Sequence, residues 1–200
     1  MNYLAHLFLS ESSDEALLGS LLGDFVKGDD YKIYSTGIQK AIHIHRRIDA
    51  YSNMHPIYRR SKRRISSSYR HTRAILVDVF YDHFLANDWG DYTEESLEDF
   101  ACRCYSILKI YQDRLPTRLR TVLPRMIAND WLRSYLDEAR IGLVLRGLSH
   151  RLSRENRLHR GLEELHGNYE GLQEDFRAFF PELVNHVSRL RDSLPLTERS

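Results

Sequence analysis

The feature that most constrains this chain is Ile75-Leu76-Val77-Asp78-Val79-Phe80-Tyr81-Asp82-His83-Phe84-Leu85, apolar on nearly every side yet carrying three ionisable groups. A helix that apolar all round is buried. Helical spacing puts Asp78 and Asp82 on one face. Two carboxylates inside a core repel each other and lose their hydration. Something positive has to reach them, and a metal ion with imidazole and carboxylate ligands is one candidate. A second stretch, His45-Arg46-Arg47-Ile48-Asp49, sets a histidine and an acid one helical turn apart.

The 200 residues suit one domain with a sizeable core. Basic and acidic side chains nearly balance, 29 against 28, which argues against a general nucleic-acid binder. Ten histidines are many for this length, and several lie beside acids. Cys102 and Cys104 are two apart in a helical segment and point in different directions. That spacing suits neither a zinc knuckle nor a strain-free disulfide, and unpaired thiols fit a reducing compartment. Met1-Asn2-Tyr3-Leu4-Ala5-His6 lacks the basic start and long apolar run of a signal peptide. No segment holds the ~20 apolar residues that cross a bilayer. The expectation is a soluble cytoplasmic protein without a membrane partner.

Helical periodicity dominates, and no long alternating strand pattern interrupts it. Helices are expected over residues 13–27, 37–52, 71–87, 125–138, 141–148, 158–179 and 182–194. A basic segment over 57–66 and a helix starting near Thr93–Ser96 complete the set. Ser12 or Ser13 caps the first and Gly28 ends it. His55-Pro56, Pro116 and Pro124 read as breaks, and Pro181 as a first-turn proline. The sum is one all-α domain over residues 1–194, with a frayed tail at 195–200.

Asp78, Asp82 and His83 form the sharpest chemical signal. The blander alternative is a pair of solvated or salt-bridged acids and a satisfied core histidine. His45 and Asp49 alone could be ligands or a hydrogen bond across one turn. Asp24 falls near the end of an apolar helix, where an acid opposes the helix dipole and needs a reason to be there. His6, in Asn2-Tyr3-Leu4-Ala5-His6-Leu7-Phe8, reads as a core histidine when taken by itself. Arg59, Arg60, Lys62, Arg63, Arg64, Arg70 and Arg73 make either a solvated face or a dock for an acidic partner or phosphate. Arg146, His150, Arg151, Arg154 and Arg157 could extend it. There is no Gly-rich phosphate loop, no Gly-x-Ser-x-Gly and no His-Glu-x-x-His.

Taken together these segments resemble the acyl carrier protein phosphodiesterases, or ACP hydrolyases. The resemblance starts with Met1-Asn2-Tyr3-Leu4-Ala5-His6-Leu7 and runs through Leu18-Gly19-Ser20-Leu21-Leu22-Gly23-Asp24-Phe25-Val26-Lys27-Gly28. It continues with Gly37-Ile38 and His43-Ile44-His45-Arg46-Arg47-Ile48-Asp49, and closes with Leu76 to Ala86 and Trp89. Local identity covers roughly the first 90 residues. Tyr169 and Phe176 to Pro181 resemble the family's C-terminal helices.

The resemblance implies a divergent, HD-phosphohydrolase-like all-α fold that uses a divalent metal, manganese first, with magnesium, iron or zinc also open. The adjacent pair here is Asp82-His83, reversed from the usual His-Asp order. It implies hydrolysis of holo-acyl carrier protein to apo-carrier and 4′-phosphopantetheine. The acid matching Asp24 is implied in activity, and His45 with Asp49, and Asp82 with His83, in the metal site. Asp24, His45 and Asp82 are therefore the expected catalytic residues. Ligands are drawn from His6, Asp24, His45, Asp49, Asp78, Asp82 and His83. Arg46 and Arg47 are expected at the phosphate, and Arg60, Arg63 and Arg64 at the acidic carrier. Replacing Asp24 or Asp82 by Ala is expected to abolish turnover while preserving the fold. Two alternatives use the same residues: a metal-dependent phosphohydrolase of a small substrate, and a non-catalytic helical module that binds an acidic carrier. An RNA-binding reading of the basic stretch has the balanced charge against it, and no aromatic platform for it.

Overall fold

The computed structural model describes residues 1–193, so the tail expected at 195–200 lies outside the described residues. Among those residues all regular structure is helical: α1 (Tyr3–Phe8), α2 (Asp14–Leu22), α3 (Thr36–Met54), α4 (Pro56–Arg64), α5 (Arg73–Asn87), α6 (Leu97–Ile110), α7 (Thr117–Ala128), α8 (Glu138–Arg151) and α9 (Leu162–Ser193). Short 3-10 turns join several of them. No helix among the described residues is long and apolar enough to cross a membrane.

Helix α5 is the axis. Leu76, Val77, Val79, Phe80, Tyr81, Phe84 and Leu85 have no exposed surface, as a helix apolar on all sides requires. Helices α1, α4, α8 and α9 pack around it, and α2 lies along α3. Gly19 allows that second approach, because a Cβ there would overlap the Ile38 carbonyl and the Ala41 methyl. Aromatic rings close the α5–α9 side, with Tyr81 on Phe176 at 5.4 Å and Phe176 on Phe180 at 5.0 Å between centroids.

Two expected caps are present: Ser13 accepts from Ala16 N–H and Ser96 from Asp99 N–H. Other boundaries differ. Helix α2 stops at Leu22 rather than Lys27, where Gly23 lies against the His45 ring and the chain turns so that Phe25 can stack on Tyr3. Pro124 is inside α7, and Pro181 is inside α9 rather than in a first turn. A proline inside a helix costs about 3 kcal/mol. Around Pro181 the wholly buried Phe179, Phe180 and Leu183 hold the helix together and outweigh that cost. The helix expected over 125–138 ends at Ala128, because Asp130 is left-handed at φ 44° and Trp131 N–H bonds back to the Met126 carbonyl at 3.0 Å. Helix α9 replaces the two expected helices over 158–179 and 182–194, with a kink at Asn168.

The basic segment is partly a core feature. Asp175 on α9 has no exposed surface and takes Arg60 at 2.6 Å, Arg64 at 2.9 Å and the Ser61 hydroxyl at 2.8 Å. Arg60 and Arg64, expected at the carrier, are thus committed to a buried carboxylate, while Arg63 stays exposed. Burial would raise the Asp175 pKa, but the hydrogen bonds from Arg64, Arg60 and Ser61 outweigh it and hold the group below its ordinary value. A carboxyl depressed in the folded state contributes stability above its unfolded pKa and loses it as pH falls. Arg64→Ala is expected to cost about 2–3 kcal/mol in urea unfolding at neutral pH, since it strips one partner from a buried charge. The deficit should shrink towards acid pH; an equal loss at all pH values would mean that the pair is not the cause.

Candidate metal centre

Helix α1 has six residues and no side-chain cap of its own. So short a helix does not stand alone in water. Its free amides are met from α5 instead: Leu4 N–H donates to Asp82 Oδ2 at 2.8 Å and Ala5 N–H to Oδ1 at 3.1 Å. Asp82 therefore does for α1 what an N-cap residue does, and its charge faces the positive end of the helix. It has no exposed surface. Burial pushes its pKa up to about 7, against the two amides and the nearby Met1 ammonium, which favour the charged form.

Anchored this way, α1 delivers His6 to α2 and α3. Ser20 on α2 ties the two histidines: its hydroxyl donates to the His6 carbonyl at 2.6 Å, and its own carbonyl accepts from His45 Nδ1 at 2.7 Å. The His6 and His45 rings stack at 3.6 Å, 14° from parallel. Asp49, one turn beyond His45, lies across both, with Oδ1 at 3.1 Å from His6 Nε2 and Oδ2 at 3.5 Å from His45 Nε2. Ligand atoms of His6, His45 and Asp49 all lie within 4.8 Å of one another. Asp24, in the turn after α2, brings Oδ1 to 3.7 Å from His45 Nε2. Gly23 makes room for this, since a Cβ there would overlap the His45 ring.

The donor set fits a divalent cation. A carbonyl only accepts, so His45 Nδ1 carries the proton and, in the neutral ring, the Nε2 lone pair faces two carboxylates. A hydrogen bond from the far nitrogen to a carbonyl is how metal-binding histidines are commonly oriented. Burial, then the neighbouring His45, pushes the His6 pKa down to about 3, so that ring is neutral. Its Nδ1 is buried without a hydrogen-bond partner. Burial would raise the Asp49 pKa, but the His45 and His6 rings and the Met1 ammonium beside it hold it well below the usual carboxylate range. Burial raises that of Asp24, 40% of whose side chain remains accessible. Imidazole nitrogens and carboxylate oxygens brought together in this way suit manganese, iron or zinc.

The other expected ligands are engaged elsewhere. Asp78 accepts from the Tyr58 hydroxyl at 2.6 Å and lies 3.0 Å from the Met1 amino group, which is also 3.2 Å from Asp49. Burial works against that ammonium, but Asp78 and Asp49 outweigh it and hold its pKa at about 11. The positive partners that Asp78 and Asp82 require are thus an ammonium and two backbone amides. Each oxygen of Asp82 accepts an amide of α1, and Asp82 is not among the converging ligand atoms of His6, His45 and Asp49. His83 stands apart from the group: Nδ1 donates to the Tyr135 carbonyl at 2.7 Å, and Nε2 faces the Tyr169 hydroxyl at 3.3 Å. Arg46 donates to the carbonyls of Val26 and Gly28, both at 3.2 Å, and so tethers the loop that carries Asp24. Arg47 is exposed. His6 is the residue that local sequence reasoning undervalued, because nothing in its own segment shows that it will meet His45.

A family model described as acyl carrier protein phosphodiesterase matches residues 1–183. The chain is 31% identical to an acyl carrier protein phosphodiesterase of Yersinia enterocolitica over 188 residues, covering 94% of this chain and 97% of the relative. It is 31% identical to one from Photorhabdus laumondii, covering 92% and 93%, and 30% identical to one from Escherichia coli, covering 94% and 98%. No solved structure matches the chain.

Two variants test the centre as built. Gly23→Ala is expected to displace the His45 ring and weaken Mn2+ binding at least tenfold in equilibrium dialysis, with the helical circular dichroism retained; unchanged affinity would show that His45 is not a ligand. Asp82→Ala orphans two buried amides and should cost about 2–4 kcal/mol in urea unfolding.

Proposed function

Because the chain belongs to the acyl carrier protein phosphodiesterase family, we propose that it hydrolyses the phosphodiester joining 4′-phosphopantetheine to a serine of holo-acyl carrier protein. The products are apo-carrier and free 4′-phosphopantetheine. The observation that carries this reading is the convergence of His6, His45 and Asp49, with Asp24 beside them, in a chain matched by that family over residues 1–183. We read the described helices as one domain, since a single buried cluster runs from Met1 to Val187. Cys102 and Cys104 are both unpaired, which supports a reducing, cytoplasmic setting.

His6, His45 and Asp49 would hold a divalent ion, which we take to be manganese, with magnesium or iron as the alternatives. Such an ion supplies Lewis acidity towards water and a phosphoryl oxygen. Ser20 keeps the His45 proton on Nδ1, so that Nε2 faces the centre. Asp24 is partly open to solvent, and its raised pKa makes it a stronger base than an ordinary aspartate. It is placed to take the proton from attacking water as phosphorus is approached in line with the departing serine oxygen. Asp82 and Ser20 act through His6 and His45 by holding them. Arg47 and Arg63, exposed on α3 and α4 and without an ion pair among the described residues, are free to meet an acidic carrier.

Mass spectrometry of holo-acyl carrier protein incubated with the protein and Mn2+ tests the reading. Conversion to apo-carrier with release of 4′-phosphopantetheine, abolished by a chelator, is expected. Asp24→Ala should lower kcat by about 10²-fold or more while leaving thermal unfolding unchanged, within the usual range for a general base. Hydrolysis of free nucleotides with holo-carrier untouched would transfer the same residues to a small-substrate phosphohydrolase. Metal-independent carrier binding without turnover would make the chain a binding module.

A further inference from the structure

Building on the phosphodiesterase reading, we propose that a cavity between the start of α1 and α8 receives the pantetheine arm of the substrate, with Tyr3, Trp131 and Leu143 as its contact surface. The cavity holds about 300 Å³ and is lined by these residues together with Asn2, Gly147 and Arg151, among others. That volume is at the lower end for small-molecule sites, which suits a narrow linear group.

Continuity with the candidate centre is the first argument. Asn2 and Tyr3 line the cavity and directly precede Leu4 and Ala5, whose amides hold Asp82, and His6 follows. The Tyr3 ring stacks on Phe25, the neighbour of Asp24, at 6.3 Å and 15°, and on Trp131 at 6.3 Å and 20°. A row of three rings therefore leads from the Asp24 turn into the cavity. A phosphodiester held at the His6, His45 and Asp49 group, with Asp24 beside it, would leave its prosthetic-group arm able to follow that row.

The chemistry of the lining is the second argument. The arm is uncharged, with two amides set between methylene and methyl groups. It needs apolar walls broken by a few donors and acceptors. Trp131 and Leu143 supply the walls, the Asn2 amide lies on the inner side, held by a 2.8 Å bond to the Tyr135 hydroxyl, and Arg151 packs over the Trp131 ring at 5.5 Å. Leu143 is 59% exposed, an apolar side chain left to water at the cavity's edge. Gly147 lies inside α8, where glycine weakens a helix, and a Cβ there would meet nothing within 4 Å. Gly147 is exposed and lines the cavity, so a large side chain placed there meets open space.

Two variants close the cavity without touching His6, His45, Asp49 or Asp24. Gly147→Trp fills it, and Leu143→Glu puts a charge on an already exposed wall, where it cannot unfold the core. Each is expected to lower kcat/KM for holo-acyl carrier protein at least tenfold. Free pantetheine, which lacks the phosphate, should inhibit the wild-type protein competitively and lose that effect in Gly147→Trp. Wild-type turnover with kcat/KM unchanged in both variants, or equal inhibition of Gly147→Trp and wild type by pantetheine, would overturn the assignment and leave the phosphodiesterase reading standing. Failure of the wild type to release 4′-phosphopantetheine with any divalent metal would instead overturn that reading, and the cavity's assignment with it.

Discussion

The grip of Asp82 on the amides of Leu4 and Ala5 is the constraint on which the centre depends. A six-residue helix cannot stand alone, and its first amides would otherwise be buried without partners. One carboxylate from the middle of α5 meets two of them at a wholly buried position, where charge-assisted hydrogen bonds are strong. The direction of α1 follows, and with it the place of His6 beside His45. The geometry of the His6, His45 and Asp49 group is thus set by an acid whose own oxygens face elsewhere.

Five acids show how one fold sorts structural charge from functional charge. Asp175 is answered by two arginines and a serine, Asp78 by an ammonium and a tyrosine, and Asp82 by backbone amides. In each, donors meet acceptors and the account closes. Around Asp49 and Asp24 imidazole nitrogens and carboxylate oxygens converge, with the Met1 ammonium 3.2 Å from Asp49, and His6 Nδ1 is buried without a partner. That gathering of acceptors on three neighbouring side chains is what distinguishes a group that could hold a cation from acids answered only by donors.

Much of the helical layout was legible locally. The spacing of apolar residues marked α3 and α5 within a residue or two, and Ser13 and Ser96 announced their caps. The failures share a cause. Pro124 and Pro181 read as boundaries because local chemistry disfavours proline in a helix, yet burial of Leu119, Leu123 and Met126 around the first and of Phe179, Phe180 and Leu183 around the second overrides it. The stop of α2 at Leu22 depends on the His45 ring lying against Gly23, a contact between residues 22 positions apart.

By itself the sequence determined that the fold is helical, that α5 is buried, and that its acids need positive partners, because periodicity and hydropathy act over a few residues. It also placed His45 and Asp49 together, since one helical turn enforces that. Which acids would be neutralised by the protein itself, and which would be left facing lone pairs, was decided by tertiary structure. The meeting of His6 with His45 joins residues 39 positions apart through Ser20 and depends on Asp82 from a fourth helix. Side-chain type cannot show whether a carboxylate will find amides, an arginine or another acceptor. That outcome depends on what the packed chain brings within about 3 Å of it, the distance over which a hydrogen bond acts.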